Sequence, residues 1–245
     1  MKLEAVRIPP RLRGFPAGDA EVFDVTLDRA QVAAVTASRQ PARGTLLSAL
    51  VDAHTHIDKN YTVREVRAAE GDLSTAIART AAHRAGWTAE ALHARMEHAL
   101  DEAWRAGTRA LRTHLDWPGD DTPVSLPVFE ALRTQWQDRI ALQFVALVPL
   151  DVYADLAAGD RIAQAVRRAG GVLGAFVYRN QGIVHKLGRV FDLAQQYQLA
   201  LDFHVDEGLD PDATGLRSIA QLAIARGLHG RVVCGHACSL SVQDE

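Results

Sequence analysis

From residue 49 onward, six short apolar, β-rich runs are separated by amphipathic stretches, and this alternation limits the chain to a parallel α/β architecture. The predicted strands are Ala49–Ala53, Arg109–Leu115, Ile140–Val148, Val172–Tyr178, Ala200–Val205 and Arg231–Gly235. Between them, Ala89–Ala106 sets Leu92, Met96, Leu100, Ala103 and Trp104 near helical spacing. Leu126–Gln137, Asp151–Ala169, Leu187–Gln198 and Asp212–Arg226 repeat the pattern. Thr88 and Asp212 read as helix N-caps, and Gly107, Gly170 and Gly227 stand where helices should end. Residues 1–48 fall outside the alternation. There Leu3–Ile8, Glu21–Leu27 and Val32–Thr36 read as strands broken by Pro9-Pro10, Gly14 and Gly18. The expected division is an N-terminal β-sandwich portion, 1–48, and a (β/α) domain, 49–245.

Histidines choose between the two parallel folds such units can build. His54 and His56 lie two apart at the end of an apolar run, so on a strand both face one side and can converge on a metal ion. Two later strand ends, Asp202-Phe-His-Val-Asp-Glu207 and Val232-Val-Cys-Gly-His236, bring His204 and His236 where the same ion can be reached. An open sheet would spread these ends along a crevice, whereas a barrel gathers them in one ring. The predicted fold is therefore α/β, a (β/α)8 TIM barrel. Only six of its eight strands can be found, and the chain stops soon after His236, so the expectation is a barrel truncated after its sixth strand.

Composition narrows the function classes. With 48% hydrophobic and 23% charged residues and a net charge of −3, nothing points to nucleic acid or a disordered tail. No apolar stretch is long enough for a membrane span and no N-terminal signal is present, which predicts a cytoplasmic protein. Cys234 and Cys238 flank His236; a disulfide across so short a segment is not expected, and a zinc knuckle would need further soft ligands.

The series His54-Thr-His-Ile-Asp-Lys59, Arg112-Thr-His-Leu-Asp116, His204-x-x-Glu207 and Gly235-His236 resembles the amidohydrolase superfamily, and within it the cytosine deaminase branch, over nearly the whole chain. The resemblance implies that His54, His56 and His204 bind one divalent ion (zinc, iron or manganese), completed by an aspartate after an eighth strand; Asp244 stands too close to His236 to be that residue. It further implies that hydroxide formed at the ion attacks a carbon bearing an amino or amide leaving group. Glu207 would shuttle a proton to the substrate ring nitrogen and His236 would polarise the oxyanion. Two-metal relatives carry a carboxylated lysine after the fourth strand; here the lysines are Lys2, Lys59 and Lys186, and Val172–Tyr178 contains none, which favours a single ion.

Asp58, Lys59, His114 and Asp116 are expected to orient the ligands, with a local Asp58–Lys59 ion pair and structural roles for His114 and Asp116 as the alternatives. Trp87, Trp104, Trp117 and Trp136 are expected as packing anchors, with Trp117 also placed to reach the barrel mouth and meet the substrate. His83, His93, His98, His185 and His229 read as surface residues. Leu150 occupies the position where cytosine deaminases carry a glutamine that reads the pyrimidine edge, which weighs against cytosine itself. The substrate expected is a small planar aminopyrimidine, triazine or amide, and the further partner expected is a second copy of the chain; nucleic acid and membrane are not. Two other readings stand beside the hydrolase. One is a truncated, non-catalytic relative that binds metal or a partner chain. The other is a metallo-β-lactamase-like hydrolase, whose signature places histidine where this chain has Lys59.

Overall fold

The structure, a computed structural model, describes residues 1–29, 31–66 and 72–244. Two compact units divide between Leu50 and Val51. In the first, β1 (Lys2–Arg7), β2 (Val22–Asp28), β3 (Gln31–Ala37) and the short β4 (Gly44–Thr45) form one sheet in the order β3-β2-β1-β4. β2 runs antiparallel to both β1 and β3, while β4 lies parallel to β1. Ile8, Phe23 and Val25 bury as its core, and Phe15 meets Phe23 edge-on at 5.4 Å.

The second unit starts on β5 (Leu50–Thr55) and continues through α1 (Val63–Val66), α2 (Leu73–Arg84), α3 (Ala89–Arg105), β6 (Thr108–Asp116), α4 (Ser125–Trp136), β7 (Ala141–Pro149), α5 (Leu156–Ala169), β8 (Val172–Val177), α6 (Ile183–Gln196), β9 (Leu201–Val205), α7 (Gly215–Ala225) and β10 (Val232–His236). Its strands pair in sequence order into one six-stranded parallel sheet. Every residue of β9 is buried, as expected of a strand covered on both faces. The sheet curls into a nearly closed barrel wall. A Cβ on Gly235 of β10 would stand 2.9 Å from the His54 ring of β5, so the two edge strands approach each other and only glycine fits between them. Among the described residues no helix is long and apolar enough to cross a membrane.

Local chemistry sets the helix ends. Thr88 caps α3 by accepting from Ala91 N at 3.2 Å, and Gly170 closes α5 in the left-handed region at φ 67°. The single helix expected over Asp151–Ala169 is instead broken. Leu150–Ala154 is a stretch of 3-10 helix, and Asp155, extended at φ −84° and ψ 117°, caps α5 by accepting from Ala157 N and Ala158 N at 2.8 and 3.0 Å. Asp155→Ala is expected to cost about 1 kcal/mol in urea unfolding; an unchanged midpoint would mean that the cap does not fix this start.

Further sequence expectations need correction. Asp212 does not cap α7. Thr214 precedes the helix, and the donor at its first turn, Leu216 N, is met by Asp206 Oδ2 at 2.8 Å from the end of β9. Trp104 is 42% exposed and anchors no packing, whereas Trp117 and Trp136 are buried. His83, at the surface with 23% side-chain exposure, has Nε2 2.7 Å from Glu65 and Nδ1 accepting from Trp87 Nε1 at 3.0 Å. Helix α2, whose N-cap Asp72 accepts from Thr75 N at 2.8 Å, was not foreseen.

Candidate metal centre and its pocket

Four imidazoles meet at the C-terminal end of the sheet. β5 carries His54, with His56 just past its end, β6 carries His114 and β9 carries His204. One ring nitrogen from each lies within 4.8 Å of the others. His56 Nε2 and His204 Nε2 stand 3.0 Å apart, and the His54 ring centroid is 4.3 Å from that of His114 and 4.6 Å from that of His204. The strand period explains the convergence of His54 and His56, and Ile57 N donates to Thr113 Oγ1 at 3.0 Å, tying the end of β5 to β6.

These rings are in the form a cation needs. Burial pushes the His56 pKa down to about 2, helped by the Lys59 charge, and burial likewise holds His54 and His204 below the usual histidine range. His54 Nε2, His56 Nδ1 and His204 Nδ1 are buried without a hydrogen-bond partner. Imidazoles held neutral, each with a ring nitrogen in one place, fit a divalent transition ion.

His114 differs from the other three. It is fully buried, with Nε2 3.3 Å from Asp202 Oδ1 and Nδ1 3.4 Å from Thr55 O, so both ring nitrogens face acceptors. Asp202 in turn accepts from Arg112 Nη1 at 2.8 Å, and Arg112 Nε donates to Gln143 Oε1 at 2.7 Å. Asp202 and Arg112 escaped the sequence reading of the site. The signal was present, because Asp202 sits two residues before His204 and so shares its strand face.

A second polar cluster gathers Asp58, Lys59, Arg84 and Asp116. The local Asp58–Lys59 pair does not form; Lys59 Nζ reaches Asp116 Oδ1 at 2.8 Å, and Arg84 Nη1 reaches Asp116 Oδ2 at 2.8 Å. Asp58 is fully buried and accepts from Asp116 N at 2.8 Å; burial, with the Asp116 charge adding to it, pushes its pKa up to about 7. Arg84 was also missed, since nothing local in α2 links it to Asp116.

The histidines floor a cavity of about 460 Å³. Glu207 and His236 line it, with His236 Nδ1 3.9 Å from Glu207 Oε1. His236, the last residue of β10, stands at φ 68°, and its ring centroid lies 4.6 Å from that of His204 and 4.9 Å from that of His54. Trp117 is buried and borders the cavity. Leu150, expected at the substrate-reading position, is instead fully buried in the core, and the neighbouring Leu147 and Pro149 border the cavity. β8 carries no lysine, and Lys186, in α6, is bonded to Asp151 at 2.5 Å. Cys234 and Cys238 are both unpaired.

No family model matches the chain. Among characterised proteins, a pterin deaminase from Rhizobium rhizogenes strain K84 is 37% identical over 203 residues, covering 82% of this chain and 46% of that protein. An N-isopropylammelide isopropyl amidohydrolase from Pseudomonas sp. strain ADP is 27% identical over 205 residues, covering 80% of this chain and 51% of that protein. The chain thus spans about half the length of the curated relatives it matches. The solved structure of a 5-methylcytosine deaminase from Klebsiella pneumoniae superposes with a TM-score of 0.81 at 24% identity, over 100% of this chain and 60% of that one. A zinc-complexed atrazine chlorohydrolase from Arthrobacter aurescens shares the fold at a TM-score of 0.65 and 14% identity, over 95% of this chain and 60% of that one.

Proposed function

We propose that the chain is of the amidohydrolase superfamily and supplies the active site of a hydrolase that cleaves a carbon–nitrogen bond in a small planar heterocycle, by deamination or amide hydrolysis. The observation that carries this reading is the convergence of imidazoles held neutral, each with a ring nitrogen in one place, on the floor of a cavity. His54, His56 and His204 would hold one divalent ion, zinc, iron or manganese. Such an ion lowers the pKa of water enough to make hydroxide available at neutral pH.

The chain's own residues do the rest. Glu207 holds a proton within the cavity and delivers it to the ring nitrogen next to the attacked carbon. His236, beside Glu207, donates to the oxygen that becomes negative in the transition state, where a preorganised donor is most effective. Trp117 and Phe176 give the cavity apolar walls that exclude water and receive a flat ring. The pterin of one relative and the triazine ring of another are both flat, amino- or amide-bearing heterocycles, and this is the class proposed here. We place the protein in the cytoplasm.

Elemental analysis tests the reading directly. The purified chain should carry about one equivalent of zinc, iron or manganese, and the His54→Ala/His56→Ala double variant should carry none. The loaded chain should release ammonia from members of a panel of aminopyrimidines, aminotriazines, pterins and cyclic amides. Folded chain that takes up no metal sinks the proposal.

A further inference from the structure

We propose that Lys59 and Arg84 are a clamp for an anionic oxygen on the substrate, so that the cavity selects planar nitrogen heterocycles bearing a carboxylate or an ionised ring oxygen; this rests on reading the cavity as the hydrolase's substrate site. Both side chains line the cavity floored by the histidines, one from the segment after β5 and one from the end of α2. Both pair with a single carboxylate, Asp116, at 2.8 Å, and Asp116 itself is almost fully buried. Two cations thus meet on one acid at the border of the cavity.

A cluster serving only to fasten α2 to β6 would need one cation. Among the described residues, Lys59 commits one of its three N–H groups and Arg84 one of its five, and their side chains keep 26% and 24% exposure. The surrounding wall is apolar: α2 contributes Leu73, Ala76 and Ile77, and Trp117 follows β6. A partly desolvated cation pair set in such a wall discriminates a charged from an uncharged oxygen by charge-assisted hydrogen bonds.

Calorimetry with three probes tests the clamp: 2-aminopyrimidine-5-carboxylate, its uncharged carboxamide, and barbiturate, whose ring oxygen is ionised at neutral pH. Titrations use the metal-free and the zinc-loaded chain, and Lys59→Gln and Arg84→Gln variants checked for an unchanged melting curve. At least one anion should bind about tenfold tighter than the carboxamide in both metal states, and the ratio should fall as salt rises. Each substitution should bring the ratio toward one. Preference for the carboxylate assigns an exocyclic acid; preference for barbiturate assigns a ring oxygen. Equal affinities in the unsubstituted chain overturn the clamp without needing any variant. So does a preference that appears only with zinc, or one that survives both substitutions. If the loaded chain releases ammonia yet shows no anion preference, the hydrolase reading stands and the clamp falls; if no probe binds in either metal state, both fall.

Discussion

Replacing Asp202 with alanine is expected to lower the unfolding free energy of the Val51–Glu245 unit by about 3 kcal/mol, the low end of the cost of removing one partner of a buried ion pair. Asp202 is 1% exposed and sits on β9 between β8 and β10. Its two oxygens serve Arg112 at 2.8 Å and His114 at 3.3 Å. Without them a guanidinium charge and an imidazole N–H lose their acceptor. Arg112 retains 26% side-chain exposure and can turn partly to water, which is why the low end applies. Packing leaves no room for repair, because even a methyl on Gly174 of β8 would stand 2.8 Å from the Asp202 carbonyl oxygen and 2.5 Å from Val145. Asp202→Asn keeps the shape and one acceptor and should cost about 1 kcal/mol. Urea unfolding followed by tryptophan fluorescence reads this unit alone, since Trp87, Trp104, Trp117 and Trp136 all lie in it. A loss below about 1 kcal/mol for the alanine variant, at unchanged m-value, would show that the network does not hold the sheet together. The same variant frees His114 to shift against His54 and His204, so metal affinity should fall by about tenfold or more.

What was legible in the sequence follows from how local each signal is. The parallel strands announce themselves because burial on both faces makes β7 and β8 largely apolar runs, and β9 is apolar apart from Asp202 and His204. His54 and His56 are legible because a strand's period of two is fixed by its geometry. His114 was visible within Arg-Thr-His-Leu-Asp, but its place against three other rings depends on how far the sheet curls, which no window of sequence encodes. Helix α2 was missed because none of its described side chains is buried: it borders a cavity rather than the core, so its apolar stripe is thin, and only the Asp72 cap marked it. The pairing of Asp116 with Lys59 and Arg84 joins three separate segments and leaves no local trace. Trp104 misled because helical spacing places a residue on a face without saying whether anything covers that face.

Exchanging Glu207 for glutamine is expected to reduce kcat by about a hundred- to ten-thousand-fold while leaving metal content and melting temperature unchanged. Glutamine fills the same space and can hydrogen-bond, but it cannot take up and hand on a proton. Glu207 follows the turn at Asp206, φ 48°, which redirects the chain after β9, and its side chain borders the cavity at 27% exposure. It belongs to neither the four-imidazole group nor the core, so neither metal nor stability should answer to it. Ammonia release by the metal-loaded protein, measured on whichever ring amine or amide proves to be turned over, gives the comparison. Glu207→Asp should recover part of the rate, since the carboxylate returns at a shorter reach. A glutamine variant within about threefold of the original rate would assign the proton transfer elsewhere, and His236, 3.9 Å from Glu207 Oε1, is then the group to test. Loss of metal together with rate would instead mean that Glu207 acts by supporting the histidines, so metal content separates a proton carrier from a structural acid.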